Sequence, residues 1–435
     1  MSPEYAPFEA RRRRLLSVMR EGVLVLAAGA EISRNRDTHY PFRSDSYFHY
    51  LTGFPEPDAV LVLVAGTEPR QILFCRDKDL EREIWDGYRF GPEAARTVFG
   101  FDDSHALCRL DEVLPSLLEN QSALHYLLGE DSAWDKRVMA WLNSVRVKAR
   151  SGVSAPGSLI DARALLDEMR LIKTEDELDK MRRAAAISVD AHRRAWRATR
   201  PGRYEYEIEA ELLHAFRQGG AESPAYPSIV AGGAHACILH YIGNDQRLND
   251  GDLLLIDAGA EFAGYAADIT RTYPVNGRFS AAQKAVYEIV LAAQAAAMQQ
   301  IVPGHRWNEG HDAAVRVLTR GMVDLGLLHG EVDGLIEQNA YKTYYMHRTG
   351  HWLGRDVHDA GEYKLAGEWR PLQPGMTLTV EPGMYIRPAP DVPEALWNIG
   401  IRIEDDVHVT ATGGEVLTEA LPRSVIGIEE AMRHD

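Results

Sequence analysis

Asp257, Asp268, His351, Glu381 and Glu404 lie in the segments LIDAGAE, AADITRT, HRTGHWLGRDVHD, TVEPGMY and GIRIEDD, most of them at the end of a short apolar run. This order constrains the C-terminal half more than any other feature of the chain. Four carboxylates brought together without counter-charge repel one another, and their pKa values rise sharply. A shared pair of divalent cations is the simplest charge that lets them converge. The five side chains therefore predict a metal site. Oxygen-rich ligation with one imidazole and no thiolate favours manganese, with cobalt, iron or zinc as substitutes. Each residue alone has an ordinary reading, since an Asp at a strand end is commonly a turn or cap residue and a single histidine beside Trp352 and Gly354 is commonly a core residue. The combination carries the argument.

The surrounding pattern predicts how the carboxylates are delivered. Leu253 to Ile256 runs into Asp257, and Gly259 and Gly264 mark a reversal before Asp268. Leu378 to Val380 runs into Glu381, and Ile399 to Ile403 into Glu404. Two antiparallel strand pairs would present two carboxylates each on rigid positions. Thr174 with Glu177 forms a capping box for a long helix with Leu178, Met181, Ala185, Val189 and His192 at helical spacing. Ser280 with Gln283 opens another, alanine-rich to about Gln300. Earlier in the chain, Val23 to Leu26, Val60 to Val64 and Ile72 to Phe74 read as strands, the last two joined by a turn at Gly66 to Pro69. The SGVSAPG stretch from Ser151 to Gly157 reads as a loop near the end of a first domain. The fold class expected is α/β (α+β), with domains at 1–170 and 171–435.

The composition narrows the partners. A chain of 435 residues, 45% hydrophobic and 26% charged, suits two globular domains. A net charge of -16 argues against nucleic acid or an anionic membrane as partner. Arg11 to Arg14 is the local exception and reads as a solvated helix face. As an export signal it fails, because Arg20 and Glu21 interrupt the apolar stretch behind it. No apolar run is long enough to span a membrane. Cys75, Cys108 and Cys237 are far apart and in no CxxC pair, which suggests a reducing cytoplasm. HExxH, GxSxG and P-loop motifs are all missing, so metal-activated water is the best nucleophile.

The stretches HRTGHWLGRDVHD, TVEPGMY and GIRIEDD, with DAGAEFAGYAADITRT upstream, resemble the peptidase family of aminopeptidase P, prolidase and methionine aminopeptidase, which shares the pita-bread fold. RLIKTEDELDKMRRAAAIS, FRSDSYFHYLTGFPEPDAVLVL and RDKDLEREIWDGYRFG extend the resemblance over nearly the whole chain and are most similar to bacterial aminopeptidase P. The resemblance implies an N-terminal mixed α/β domain and a C-terminal pita-bread catalytic domain with a curved antiparallel sheet backed by helices. It also implies two divalent ions about 3.5–4 Å apart, bridged by a hydroxide that attacks the peptide bond. Glu381 would be the general base, and His240 and His358 would hydrogen-bond the oxyanion or hold the scissile groups.

Around them, His347, one helical turn before His351, would shape the pocket, and Arg402 would pair with a ligand such as Asp257. Tyr385 and Trp352 would wall a slot for a proline ring. Trp85 would reach across a subunit interface of a homo-oligomer, a dimer or tetramer. The implied substrates are peptides with proline in second position. The rival is prolidase, restricted to dipeptides, with Arg370 or Arg355 gripping the free carboxylate. A metal-free pita-bread binding module is the remote alternative, and the full ligand set argues against it.

Overall fold

Short Val- and Leu-rich runs buried on both faces build the centre of the sheet of the N-terminal part, and its edge strands are partly exposed. The strands are β1 (Gly22–Ala27), β2 (Val60–Ala65), β3 (Arg70–Cys75), β4 (Asp103–Ala106), β5 (Ala123–Tyr126) and β6 (Ser158–Asp161), in spatial order β4-β3-β2-β1-β5-β6. β1 to β3 are antiparallel neighbours, and β4, β5 and β6 join in parallel. Because side chains alternate across a strand, Val23, Val25, Val62 and Phe74 pack in one layer with Leu114 and Trp141. Leu24, Leu26, Leu61 and Leu73 pack in the other with Leu15, Phe48 and Phe99. The computed structural model describes residues 1–433, which divide into one unit at Met1–Met169 and a second from Arg170 onward.

The arginine run departs from the expectation of a solvated face. It lies on the helix Ala6–Met19, where Arg11 and Arg12 are buried and only Arg13 and Arg14 face solvent. Arg12 is fully buried: it donates to Gln71 Oε1 at 2.6 Å and to the carbonyls of Leu51, Phe99 and Gly100 at 2.9, 2.9 and 3.0 Å. A guanidinium is the one side chain with enough donors to serve all of these acceptors at once. Burial is the main reason its pKa falls to about 10.

The second unit is antiparallel. Its longer strands are β7 (Ile229–Gly232), β8 (Leu253–Asp257), β9 (Thr270–Pro274), β10 (Thr377–Val380), β11 (Gly383–Ile386), β12 (Ile399–Arg402), β13 (Asp405–Val409) and β14 (Gly414–Val416). They form the sheets β7-β8-β9, β10-β13-β14 and β11-β12. The helices Glu175–Ala198, Glu205–Gln218, Ala281–Met298 and Trp307–Asp324 cover them through one continuous core that includes Val189, Leu212, Val290 and Leu318. Capping boxes open two of these helices at the expected pairs, Thr174 with Glu177 and Ser280 with Gln283, and in the other two Glu207 and Glu309 likewise accept from the N–H of Tyr204 and Arg306. The architecture is α/β, a mixed N-terminal unit followed by antiparallel sheets backed by helices.

Arg12→Met is expected to lower stability by about 3 kcal/mol, because it orphans several buried acceptors. Arg13→Ala should stay within about 0.5 kcal/mol of the parent. Urea unfolding of the two variants checks this, and equal effects would contradict the buried role of Arg12.

Candidate metal centre and active site

Two strand arrangements deliver the carboxylates. β8 pairs with β9 from Leu253↔Pro274 to Asp257↔Thr270, and the pairing runs on through the Ala258 N–H donating to the Ile269 carbonyl at 3.0 Å. The residues between make a tight excursion that returns Asp268 beside Asp257. Gly259 is required there, since a Cβ would sit 1.7 Å from the Ala267 carbonyl oxygen. The other arrangement is a ribbon broken in the middle: Val380 pairs with Asp405 on one side of the break and Gly383 with Arg402 on the other. Pro382, which has no N–H, sits in the break. Glu381 and Glu404 occupy it from opposite strands. Gln294 Nε2, from the helix behind, bonds the carbonyls just before each of them, Val380 and Ile403, both at 3.2 Å.

His351 is held along the edge of β10. Its carbonyl accepts from Thr379 N–H at 3.0 Å, and its own N–H donates to Thr379 Oγ1 at 3.1 Å. Nδ1 donates to the Trp352 carbonyl at 2.9 Å, which leaves Nε2 facing Asp268 Oδ2 at 3.4 Å and Glu381 Oε1 at 3.7 Å. Carbonyl-anchored Nδ1 and a free Nε2 are the usual state of a metal-binding imidazole. Asp268, His351 and Glu404 each offer a donor atom within 4.8 Å of the others. Asp257 and Glu381 line the same cavity.

The electrostatics fit a cation. Burial first, then the neighbouring carboxylates, pushes Glu381 up to about 7 against the opposing pull of His351 and Arg402, and Glu404 well above its ordinary range. Asp257 is raised by burial although Arg402 opposes it. For Asp268, the His351 hydrogen bond and charge, with Tyr226 and Arg402, outweigh burial and lower the pKa. His351 would be lowered by burial, but Asp268 and Glu381 raise it to about 9. Raised carboxyl pKa values mean that the metal-free site holds protons in place of cations, and those protons would be displaced by divalent ions. Asp257, Asp268, His351, Glu381 and Glu404 are the residues that could hold them.

A cavity of about 970 Å³ opens over these residues, and His240, His347, His358 and Arg402 also line it. The His358 ring meets His351 edge-on, with centroids 4.3 Å apart. Arg402 Nη2 donates to Asp257 Oδ2 at 2.6 Å and Nη1 to the Tyr385 hydroxyl at 3.0 Å. That hydroxyl lies 2.8 Å from His347 Nε2, while His347 Nδ1 is 2.7 Å from the Arg348 carbonyl. The pattern fixes the directions: Nδ1–H donates to the carbonyl, so Nε2 accepts from Tyr385. Burial and then Arg402 hold His347 down to about 3, keeping it neutral.

Several sequence expectations need correction. His347 does not sit on a helix, because the chain from 345 to 350 is irregular. Tyr385 does not wall the cavity: it is 1% exposed and its hydroxyl ties Arg402 to His347. Trp352 is fully buried behind the wall, packed on Trp307 and stacked on Tyr363. Trp307, Tyr363 and Trp369 line the cavity instead. Sequence reasoning also missed Tyr226, whose hydroxyl lies 2.7 Å from Asp257 Oδ1 and 2.5 Å from Asp268 Oδ1. No spacing rule links it to those ligands; the contact is tertiary. Trp85, on the exposed helix Leu80–Asp86 of the first unit, has 82% of its surface exposed.

Comparison with known proteins agrees with this geometry. Residues 179–411 match the model of metallopeptidase family M24, and residues 8–126 match the aminopeptidase P N-terminal domain. The chain belongs to metallopeptidase family M24. It is 45% identical over 427 residues to the Xaa-Pro aminopeptidase of Haemophilus influenzae, covering 98% of this chain and 96% of that protein. The structure of Pseudomonas aeruginosa aminopeptidase PepP superposes with a TM-score of 0.97 at 51% identity, over 98% of each chain. A zinc-substituted Escherichia coli aminopeptidase P in complex with product gives a TM-score of 0.96 at 43% identity, over 99% of this chain and 98% of that one.

Two outcomes follow from the electrostatics. Tyr226→Phe removes a hydroxyl shared by two carboxylates and is expected to weaken metal binding roughly tenfold to a hundredfold, measured by chelator competition. A raised pKa stabilises the folded state fully below the unfolded value and ceases to do so as pH climbs through the folded value. With Glu381 at about 7 and His351 at about 9, metal-free protein should lose stability between about pH 4.5 and 9. Metal binds the deprotonated ligands, so the Tm gap between loaded and stripped protein should widen across that range. A gap that narrows with rising pH would contradict the charge assignment.

Proposed function

We propose that the chain is a metal-dependent aminopeptidase that releases the N-terminal residue from peptides with proline second, using two divalent ions held by Asp257, Asp268, His351, Glu381 and Glu404. The observation that carries this is the convergence of those five donors on one cavity that also presents Trp307, Tyr363, Ile229 and Leu239 as apolar surface. Similarity to Xaa-Pro aminopeptidases over nearly the full chain supports it. Manganese suits the oxygen-rich donor set, with cobalt, iron or zinc as alternatives.

The bound ions supply Lewis-acid polarisation of the scissile carbonyl and a water acidic enough to act near neutral pH. The protein's own groups do the rest. Glu381 accepts a proton beside the cavity and passes it to the departing proline nitrogen, which carries no hydrogen in the peptide. His240 and His358 donate hydrogen bonds to the carbonyl oxygen as it gains charge. Arg402 fixes the orientation of Asp257. Trp307 and Tyr363 offer the apolar surface a proline ring needs.

The dipeptidase reading loses its two cationic candidates. Arg355 and Arg370 are 3% and 4% exposed, and neither lines the cavity. Exposed Trp85 and Ile84 give the Leu80–Asp86 helix an apolar face that supports contact with a second copy, in a dimer or tetramer. Three unpaired cysteines support a cytoplasmic setting.

With manganese added, Ala-Pro-Ala should be cut after its first residue, faster than either Ala-Pro or Ala-Ala-Ala. Strong preference for the dipeptide would make the enzyme a prolidase. Glu381→Ala should abolish turnover and weaken metal binding. His358→Ala should lower kcat roughly a hundredfold with metal content retained; loss of metal in that variant, read by elemental analysis, would overturn its assigned role.

A further inference from the structure

Two cations on the cavity wall have no acidic partner. Arg348 and Lys364 both line the cavity, and both sit on the indole of Trp369: Arg348 Cζ is 5.4 Å and Lys364 Nζ 4.4 Å from its centroid. Neither has an ion-pair partner among the described residues, in a chain with 64 acidic against 48 basic side chains. Glu368, beside Trp369, faces Arg306 instead, at 3.6 Å. The backbone beneath both cations is fixed. Lys364 pairs directly with Trp369 in the short hairpin of Lys364–Leu365 and Glu368–Trp369, whose Trp369 carbonyl accepts from Arg306 at 2.8 Å. Arg348 is flanked by His347, which bonds its carbonyl, and by Thr349, whose hydroxyl is within 2.8 Å of both His311 and Tyr345. Stacking on an indole holds long cationic side chains in place and reduces the entropy they would lose on gripping an anion.

From these contacts we propose that Arg348, Lys364 and Trp369 form a subsite that binds a carboxylate of the peptide beyond the proline. This rests on the aminopeptidase reading above. The cavity is electrically polarised, with four carboxylates at its floor and two unpaired cations on its wall. A substrate whose ammonium end turns toward the carboxylates presents its downstream end to the cations, so its own charges set its direction of entry. Two sources offer that carboxylate: an acidic side chain after the proline, or the C-terminus of a short peptide.

The test measures kcat and KM of the metal-loaded enzyme on matched pairs. Ala-Pro-Glu-Ala-amide against Ala-Pro-Gln-Ala-amide reads the side chain, and Ala-Pro-Ala against its amide reads the C-terminus. The charged member of at least one pair should have a kcat/KM about fivefold to tenfold higher, mainly through KM, and the ratio should shrink as salt rises from about 0.05 to about 0.5 M. The double variant Arg348→Glu, Lys364→Glu should invert the order, favouring Ala-Pro-Lys-Ala-amide, a gain that misfolding does not produce. Equal rates within both pairs, or a preference that survives the reversal, would overturn the subsite. So would a preference for Glu-Pro-Gln-Ala-amide over Ala-Pro-Gln-Ala-amide with none within either pair, which would put the cations at the other end of the peptide. Failure to cleave Ala-Pro-Gln-Ala-amide and Ala-Pro-Ala alike would overturn the aminopeptidase reading itself, and the subsite with it.

Discussion

Mutual repulsion among Asp257, Asp268, Glu381 and Glu404 is the constraint around which the second unit is arranged. Each carboxylate is nine-tenths or more buried or lies on the cavity floor, where a charge is costly to hold. Rigid strands prevent the four from swinging apart, so repulsion persists until charge of the opposite sign arrives. The groups that soften it are few: Arg402 on Asp257, His351 on Asp268, the Tyr226 hydroxyl shared by both aspartates, and Thr270 Oγ1 donating to Glu404 at 2.6 Å. A site whose donors already converge is prepared for divalent cations before they bind, which is how preorganisation serves a catalytic centre.

Preorganisation needs support from behind. Arg271, fully buried, donates to Asp405 Oδ1 at 2.7 Å, to the carbonyls of Thr270 and Glu404 at 3.0 and 2.5 Å, and to those of Leu421 and Pro422 at 3.0 and 3.1 Å. One guanidinium thereby fastens β9, the broken ribbon and the C-terminal segment together. Gln294 adds the helix Ala281–Met298 to the same knot, reaching Asp405 Oδ2 at 2.9 Å. On the opposite side, His192 from the helix Glu175–Ala198 lies 2.9 Å from the Ala258 carbonyl, next to Asp257. Removing one member of a buried network of this kind typically costs about 3–5 kcal/mol, since the partner stays buried with its charge exposed to no compensation. Positions with no contact to substrate are thus as constrained as the ligands.

The cavity above has a chemical gradient that its parts do not show singly. Carboxylates and imidazoles occupy the floor, Trp307 and Tyr363 give apolar area, and Arg348 and Lys364 provide cations on the wall. A peptide with proline second carries the complementary groups in the same order, an ammonium, an apolar ring and a carboxylate.

The sequence by itself determined the strand and helix pattern around the ligands, the capping boxes at Thr174 and Ser280, and the set of five candidate donors, because hydrophobic period and residue type are local properties. It also placed Arg402 near the site. It misjudged Arg12, whose burial depends on acceptors from Leu51, Gln71, Phe99 and Gly100, far away in the chain. It chose the wrong aromatics for the wall, Tyr385 and Trp352 in place of Trp307, Tyr363 and Trp369, since aromatic type does not say which face a ring presents. Tyr226, Gln294 and the unpaired cations Arg348 and Lys364 were decided only by tertiary structure. Their roles exist through distances of a few ångströms between segments far apart in the chain, and no local pattern encodes such a distance.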